Sequence, residues 1–489
     1  MTSARRAVAL AALPAILMTA GCMVGPKYHK PDVPVTPAFK EPLPEGWKQA
    51  EPSDGKISRK WWETYDDPQL NALVEQVAIS NQNVLLFEAQ YREAKAAVRV
   101  ARSALFPTVT AGPSITQSMS SSRYASVGAV GASGQRTLYS FSADLSWEAD
   151  VWGGIRRTVN AASAQAQATA ADLANATLSY QSELAQVYFL LHGVDGDIDL
   201  FQRTVQLYRD YLKLTQDRFA VGVASDLDVA QAESQLRPAE AQLINFGVAR
   251  AQYEHAIAVL TDRAPAAVNI GTMVLKSAPP IVPVTVPSVL LERRPDIAAQ
   301  ERLVAAANEQ IGIAKAAFFP TISLSGSAGF QSSSVTTWLS WPSRFFSIGP
   351  SLAETVFDAG KRRAILAEFQ GAYDATVAAY RQTVLTSFQQ VEGALAAERI
   401  LQEQSVPVDQ SVKSAQRALD LATAQYKAGT ADYLTVITAQ STLLSAQRTQ
   451  IDLLTNRLTA SVQLVASLGG GWDVSLLPTT HDVRTGSLK

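Results

Sequence analysis

The chain has 489 residues, with 42 basic and 44 acidic side chains, so its formal net charge at pH 7 is −2. This near balance excludes the strongly basic surface that is typical of nucleic-acid-binding proteins, and we expect no nucleic-acid partner. The single cysteine excludes an internal disulfide. The four histidines are scattered, and no Ser/His/Asp or cysteine constellation occurs, so we predict neither an enzyme nor a metal or cofactor site.

Residues 1–21 have the three-part pattern of a secretory signal. Two arginines precede an apolar block at residues 7–18, which is too short to span a bilayer, and small residues follow it. The string TAGC, which ends at Cys22, resembles the lipobox of bacterial lipoproteins, with Thr19 where leucine is usual. This resemblance implies a covalent lipid on Cys22. Because Met23 rather than aspartate follows, it points to the outer membrane. The alternative is a plain secretory signal with an incidental cysteine.

The remainder of the chain is a duplication of a unit of about 210 residues, as three pairs of similar strings indicate. The pairs are FPT at 106–108 with FPT at 319–321, VWGGIRR at 151–157 with VFDAGKRR at 356–363, and the run from Arg218 with the run from Gln425. We predict a first structural repeat at residues 66–279 and a second at 280–472. A lipid-attached extended segment at 22–65 precedes them, and a tail at 473–489 follows.

Each repeat contains a predicted hairpin, at 107–152 and 320–357, made of runs in which apolar and polar residues alternate. Alternation with a period of two indicates strands with one apolar face. The four runs are 108–117, 139–148, 321–331 and 346–357. Strands of roughly ten residues with one apolar and one polar face fit a transmembrane barrel, and barrels need about eight strands or more, so several chains must close one barrel. The alternative, half of a soluble sandwich, would leave exposed sheet edges.

Two long helices are predicted at 155–220 and 361–427, each reaching roughly 100 Å if it is continuous. The string HGVDGD at 192–197 and the proline at Pro407 predict a kink or a break in them. Further helices are predicted at 226–262, 433–468, 68–105 and 295–318. Their small and polar residues indicate a helical tunnel beneath the barrel, and the alternative is a soluble coiled-coil bundle.

Four further strings stand out: GCMVGPKYHKPDVPVT at 21–36, WWETYDDPQLNALVEQVAISNQNV at 61–84, PSVLLERRPDIAAQERLVAAANEQIGIAKAAFFPTISL at 287–324 and SLGGGW at 467–472. They resemble the lipid-anchored branch of the outer-membrane factor family, the TolC/OprM-like channels. The resemblance covers nearly the whole chain. It implies a mixed α/β membrane protein with a TolC-like fold: a trimer in which each chain adds four strands to a shared barrel, continued by a long α-helical periplasmic tunnel.

The resemblance also implies function. The chain is expected to be the exit duct of a tripartite efflux pump in the outer membrane of a Gram-negative bacterium, passively conducting antibiotics, dyes or toxic compounds. Its implied partners are two further copies of itself, outer-membrane lipid, a periplasmic adaptor (membrane fusion) protein and an inner-membrane transporter, commonly of the resistance-nodulation-division type. The alternatives are the duct of a type I protein secretion system and a periplasmic scaffold that conducts nothing.

The turns between the long helices and their return helices carry the implied site. The resemblance implies an adaptor contact at Val221, Gly222, Val223, Ala224, Ala428, Gly429, Thr430 and Ala431. It implies a periplasmic gate at Tyr426, Leu434, Asp226, Asp228 and Asp432. Thr438 and Ala431 stand where relatives often have aspartate and arginine, so we expect an apolar ring around Leu434 rather than a polar lock. The alternative for any of these residues is ordinary turn capping by Asp and Gly.

Overall fold

The computed structural model describes residues 23–33, 35–44, 58–119, 135–284 and 287–485. The predicted signal peptide and Cys22 lie outside these ranges. No helix within them combines the length and the apolar character that a membrane crossing requires.

Most of the described chain is helical. The α-helices are α1 (Pro68–Ser80), α2 (Gln82–Ser103), α3 (Gly154–Ala220), α4 (Asp226–Leu260), α5 (Pro287–Arg293), α6 (Pro295–Ala316), α7 (Lys361–Ala428), α8 (Tyr433–Ser467) and α9 (Thr480–Thr485). Short 3-10 helices lie at Trp61–Tyr65, Pro265–Ala267, Trp341–Ser343 and Val474–Leu476. The boundaries that we predict for the two structural repeats stay predictions.

The four predicted strands form one antiparallel sheet in the order β1-β2-β3-β4. Their bounds are β1 (Thr108–Met119), β2 (Gln135–Glu148), β3 (Thr321–Ser332) and β4 (Arg344–Ala353). The register sets apolar residues opposite apolar residues across all three pairings, since Val109 faces Leu145, Phe141 faces Phe330 and Ala328 faces Phe346. One face of the sheet is therefore apolar. Phe346 is 83% exposed on that face within the single chain.

The opposite face of the sheet is polar. Asp144 accepts hydrogen bonds from Ser142 Oγ at 2.8 Å and from Ser327 Oγ at 2.6 Å, which ties β2 to β3. The hydroxyl oxygens of Ser323 and Ser351 lie 2.7 Å apart across β3 and β4. An apolar outer face and a polar inner face are what a barrel wall in a membrane requires.

The two long helices are continuous, so a break at 192–197 or at Pro407 is wrong, and a kink at these places stays a prediction. α3 has 67 residues and α7 has 68. Gly193 does not break α3 but allows it to pack closely against α8, because a Cβ at this position would lie 2.5 Å from Thr455 Oγ1. Pro407 lies on the exposed side of α7, where water can bond to the backbone carbonyl that a proline leaves unpaired.

The predicted helix at 68–105 is also corrected, because the structure divides it into α1 and α2 at Asn81. The Asn81 side chain accepts hydrogen bonds from the backbone N–H groups of Asn83 and Val84, which starts a new helix. Its Nδ2 donates to the Leu260 carbonyl at 2.9 Å. Asn81 is thus a cap that fastens the α1/α2 junction to the end of α4.

The N-terminal arm, which we define as residues 23–33 and 35–44, runs along α7. Arg381 Nε donates to the Asp32 carbonyl at 3.2 Å, and the Lys40 N–H donates to Glu392 at 2.7 Å. Farther along, Arg399 forms an ion pair with Glu41 at 3.1 Å. The arm therefore follows α7 from the sheet end toward the middle of the helix.

Glu398 is a buried acid at the end of this path. It is 2% exposed, and its Oε1 has no hydrogen-bond partner within the described part of the chain. Burial raises the pKa of the Glu398 carboxyl to about 7, although Arg457 opposes the shift. Tyr65, whose hydroxyl lies 2.7 Å from Ser461 Oγ, has its pKa raised mainly by burial and also by the charge of Glu398.

Replacing Glu398 by glutamine should stabilise the protein at alkaline pH. Because the folded-state pKa is raised, the stability that protonated Glu398 contributes is fully present below about pH 4 and is lost as the pH rises through about 7. We expect the Glu398→Gln advantage at pH 8 to exceed that at pH 5 by on the order of 2 kcal/mol. Denaturant titration of the detergent-solubilised protein at both pH values measures this difference.

Glu403→Gln is the matched control, because Glu403 lies on the same helix with 66% of its side chain exposed. It should change stability little and equally at the two pH values. An equal effect of Glu398→Gln at pH 5 and pH 8 would contradict the buried-acid interpretation.

Candidate functional site

The candidate site consists of two turns between helices, at the end of the molecule that lies farthest from the sheet. The first tip, residues 221–225, joins α3 to α4, and the second tip, residues 429–432, joins α7 to α8. α3 begins six residues after β2 ends, and α7 begins eight residues after β4 ends. Each helix rises about 1.5 Å per residue, so both tips lie about 100 Å from the sheet.

The first tip is closed by glycine and by a capping box. Gly222 has φ +78°, a conformation that glycine adopts without strain, and the Val223 N–H donates to the Arg218 carbonyl at 2.9 Å. The Ser225 N–H donates to Asp228 Oδ2 at 2.8 Å, and the Asp228 N–H donates back to Ser225 Oγ at 3.2 Å. Asp228 therefore caps α4 in this structure, and its role in the gate stays a prediction.

The second tip repeats this design with different residues. Gly429 has φ +76°, and its N–H donates to the Tyr426 carbonyl at 3.0 Å. Asp432 caps α8 by accepting from the Thr435 N–H at 3.1 Å and from its hydroxyl at 2.6 Å. The hydrogen bonds from Thr435 hold the pKa of Asp432 below its usual value. Asp226 lies exposed in the first turn of α4, where a negative charge stabilises the helix.

The predicted adaptor-contact residues lie on the outside of the tips. Six of them are exposed and two are half-buried: exposed are Val221, Gly222, Val223, Ala428, Gly429 and Thr430, and half-buried are Ala224 and Ala431. Val221 is 73% exposed, and Leu434, predicted for the gate, is 54% exposed. Leu227, the counterpart of Leu434 in the first unit, is 64% exposed. The adaptor contact at these residues stays a prediction.

Tyr426 does not lie on that outer surface. It is buried between the two tips, where the Arg218 guanidinium stacks 4.6 Å from its ring centroid and donates to its carbonyl at 3.1 Å. The ring of Tyr433 lies 5.4 Å from the ring of Tyr426. One helix turn above, the hydroxyl oxygens of Tyr211 and Thr423 lie 2.6 Å apart. We call Arg218, Tyr426 and Tyr433 the tip staple, because they fasten the first tip to the second.

The sequence reasoning placed Tyr426 in the gate but missed Arg218 and Tyr433. One signal was available in the repeat, since Arg218 of the first unit matches Gln425 of the second. A charged residue that replaces a neutral one in an otherwise similar turn indicates a contact that only one unit makes. No feature of the sequence indicates that Arg218 contacts Tyr426.

A model of the family described as outer membrane efflux protein matches residues 73–262 and 286–470 of this chain. The chain belongs to this family. Among its relatives, the antibiotic efflux pump outer membrane protein ArpC of Pseudomonas putida is 30% identical over 457 residues, which cover 92% of this chain and 93% of the relative. The pyoverdine export outer membrane protein OpmQ of Pseudomonas aeruginosa is 30% identical over 436 residues, covering 88% and 91%.

Solved structures of outer-membrane channels agree with this assignment. The channel OprN superposes with a TM-score of 0.85 at 30% identity, covering 92% of this chain and 100% of OprN. The Campylobacter jejuni channel CmeC superposes with a TM-score of 0.84 at 22% identity, covering 95% and 98%, which shows a shared fold alone. The predicted TolC-like fold and membership in the outer-membrane factor family are confirmed.

This outer membrane efflux protein is accordingly an efflux channel of the Gram-negative outer membrane that extends into the periplasm. Its family and its relatives are transport proteins rather than enzymes. Among the residues that the structure describes, no three His, Cys, Asp or Glu side chains converge to hold a metal ion.

Removing the arginine of the tip staple should let the tips separate. Arg218→Ala loses one stacking contact and one hydrogen bond, which together are worth about 1–2 kcal/mol. We expect the distance distribution between spin labels at positions 223 and 430 to broaden and to lengthen. Double electron–electron resonance spectroscopy on the labelled protein measures that distribution.

Arg209→Ala is the matched control, because Arg209 lies on the same helix and pairs with Glu240 at the exposed surface. It should leave the distribution unchanged. An unchanged distribution in Arg218→Ala as well would show that the staple does not hold the tips together.

Proposed function

We propose that three copies of this chain form the exit duct of a tripartite pump that exports small molecules across the outer membrane. The observation that carries the proposal is the placement of two helical tips, with exposed valines in the first and exposed leucines beside both, at the far end of helices about 100 Å long, with a membrane-type sheet at the other end. Such a molecule can reach across the periplasm to a partner. Four strands per chain, with three chains, reach the size of a closed barrel.

A periplasmic adaptor protein docks on the exposed tips, and an inner-membrane transporter, commonly of the resistance-nodulation-division type, supplies the energy. The exposed valines at Val221 and Val223 suit contact with an apolar partner helix. The relative ArpC is named for antibiotic efflux, which supports small molecules as the cargo. In this proposal the duct itself is passive, and the cargo moves through it with energy supplied by the transporter.

The gate lies at the tips, and its closed state combines the tip staple with exposed leucines. Leu434 and Leu227 project from the tips, each more than half exposed. Around a threefold axis these side chains would form an apolar constriction. Adaptor contacts open the gate to the extent that they bind the open arrangement more tightly than the closed one.

A lipid on Cys22 anchors the chain in the membrane that holds the barrel. The described chain starts at Met23, whose neighbour Val24 donates its N–H to the Trp152 carbonyl at 3.1 Å. Trp152 lies just after β2 and just before α3. Val24, two residues after the predicted lipid site, is thus tied to the base of the sheet, which supports anchoring in the same membrane.

Export is tested by intracellular accumulation in a deletion strain, its parent and the complemented strain, with a panel of dyes, antibiotics and transition metals. In the deletion strain we expect the intracellular accumulation of some compounds to rise, because their export is lost, and complementation should reverse this rise. Unchanged accumulation across the panel, together with loss of secreted proteins, would favour a protein secretion duct instead. Unchanged accumulation with no ion current across a bilayer would favour a scaffold.

Leu434→Ala tests the apolar constriction. Removing a side chain from the narrowest ring should raise the single-channel conductance of the purified protein in a planar bilayer, because more water and ions fit through. Leu421→Ala is a control, since Leu421 is also exposed but lies on α7, away from the turn. Equal currents in wild type and Leu434→Ala would remove Leu434 from the gate.

A further inference from the structure

The start of the N-terminal arm is held by one buried arginine at the corner between β2 and α3. Arg157, in the first turn of α3, is 2% exposed. Its Nε donates to the Val24 carbonyl at 2.6 Å, and its Nη2 donates to the Pro26 carbonyl at 3.1 Å. Its Nη1 donates to Glu309 on α6 at 3.0 Å. Three nitrogen atoms of one side chain therefore join the arm, α3 and α6.

The shape of this contact admits only glycine at two positions. Gly25 has φ +110°, and a Cβ on it would lie 2.7 Å from the Cα of Gly312. A Cβ on Gly312 would lie 2.2 Å from Cδ of Arg157. Because carbon atoms cannot approach so closely, both glycines are needed for the arm to seat against the guanidinium. We call Arg157, Glu309, Gly25 and Gly312 the arm clamp.

The duplication provides an internal comparison that sets the clamp apart. The repeated strings match Arg157 with Arg363, and the ion pairs of the preceding arginines, Arg156 with Asp150 and Arg362 with Asp358, agree with that match. Arg363 is exposed, whereas Arg157 lies buried beneath the arm. A buried charge is costly unless it is paired and hydrogen-bonded, so the burial of Arg157 is explained by the arm and not by the corner itself.

An aromatic pair lies beside the clamp, at the base of the sheet. The rings of Trp152 and Phe319 stack with centroids 4.7 Å apart, and Trp152 Nε1 donates to the Pro320 carbonyl at 2.8 Å. A ring pair with one polar atom bonded is typical of the membrane–water interface. The Trp152 carbonyl holds Val24, so the arm begins beside this pair.

We propose that the arm clamp is a positioning site for a lipid-bearing N-terminus, with Arg157 as the positioning residue. It recognises the backbone of residues 24–26 and so directs acyl chains attached just before Met23 into the leaflet beside the aromatic pair. The lipid anchor and the strands of one chain then enter the membrane at fixed positions relative to each other. This inference rests on the proposed lipid at Cys22.

The test combines Arg157→Ala with Cys22→Ser in a cycle of four proteins expressed in full length. Trypsin cleavage after Lys27, which is exposed in the arm, reports release of the arm. The yield of heat-resistant trimer in the outer-membrane fraction reports assembly. Incorporation of labelled palmitate into each protein reports the lipid.

With the lipid present, Arg157→Ala should speed cleavage after Lys27 by about tenfold and lower the trimer yield by about threefold. In the Cys22→Ser background the same substitution should speed cleavage but cause no further loss of trimer. Arg157→Lys keeps the charge near Glu309 but cannot donate to both carbonyls. Its cleavage rate and trimer yield should therefore lie between those of the wild type and those of Arg157→Ala. Such an intermediate result would show that the effects do not come from misfolding.

Arg362→Ala is the matched control. Arg362 pairs with Asp358 at 2.7 Å at the second corner and makes no contact with the arm among the described residues. It should leave cleavage after Lys27 unchanged. Any trimer loss that it causes should be the same with and without Cys22.

The outcomes separate two failures. Labelled palmitate in the wild type, together with equal trimer losses from Arg157→Ala in both backgrounds, would overturn the clamp proposal alone and reduce Arg157 to a packing role. Unchanged cleavage after Lys27 would overturn it as well. Absence of palmitate from the wild type would overturn both the lipid anchor and this use of the clamp, while export in the accumulation assay would still stand.

Discussion

β1 and β4 lie at the two edges of the sheet, and each presents a row of backbone N–H and C=O groups that no neighbouring strand of the described chain pairs. In a membrane such groups must be bonded, and only a closed ring of strands bonds them all. The apolar face on one side and the serine-rich face on the other set which way that ring closes. The sheet of one chain is therefore a segment of a wall, and every helix has to leave it on the periplasmic side.

At the two corners where a strand is followed by a long helix, the same kind of ion pair directs the helix away from the sheet. Asp150 pairs with Arg156 at 2.9 Å at the first corner, and Asp358 pairs with Arg362 at 2.7 Å at the second. Each corner also has a glycine with positive φ directly before the long helix. Because the two corners are alike, the two long helices run in the same direction, and both tips arrive at the same end of the molecule.

The contacts that we connect with function are those in which the two units differ. The first corner has the arm clamp around the buried Arg157, whereas the matching Arg363 of the second corner is exposed. At the tips, Arg218 of the first unit stacks on Tyr426 of the second, and this contact exists once per chain because Gln425 replaces the arginine in the repeat. A duplicated scaffold thus provides length and direction, while arginine contacts that only the first unit makes join parts that the duplication alone would leave separate.

The sequence by itself determined the duplication, the four strands with their apolar face, the long helices and the family, because alternation, helix-forming composition and repeated strings are local signals. The same local signals did not predict that the long helices continue through 192–197 and Pro407 or that one helix ends at Asn81, where packing against α8, exposure to solvent and a bond to Leu260 decided the outcome. Only the tertiary structure decided that Tyr426 is buried, that Glu398 is nearly sealed from water and that Arg157 holds the arm. Each of these depends on residues far apart in the chain, and no local pattern records which distant groups will meet.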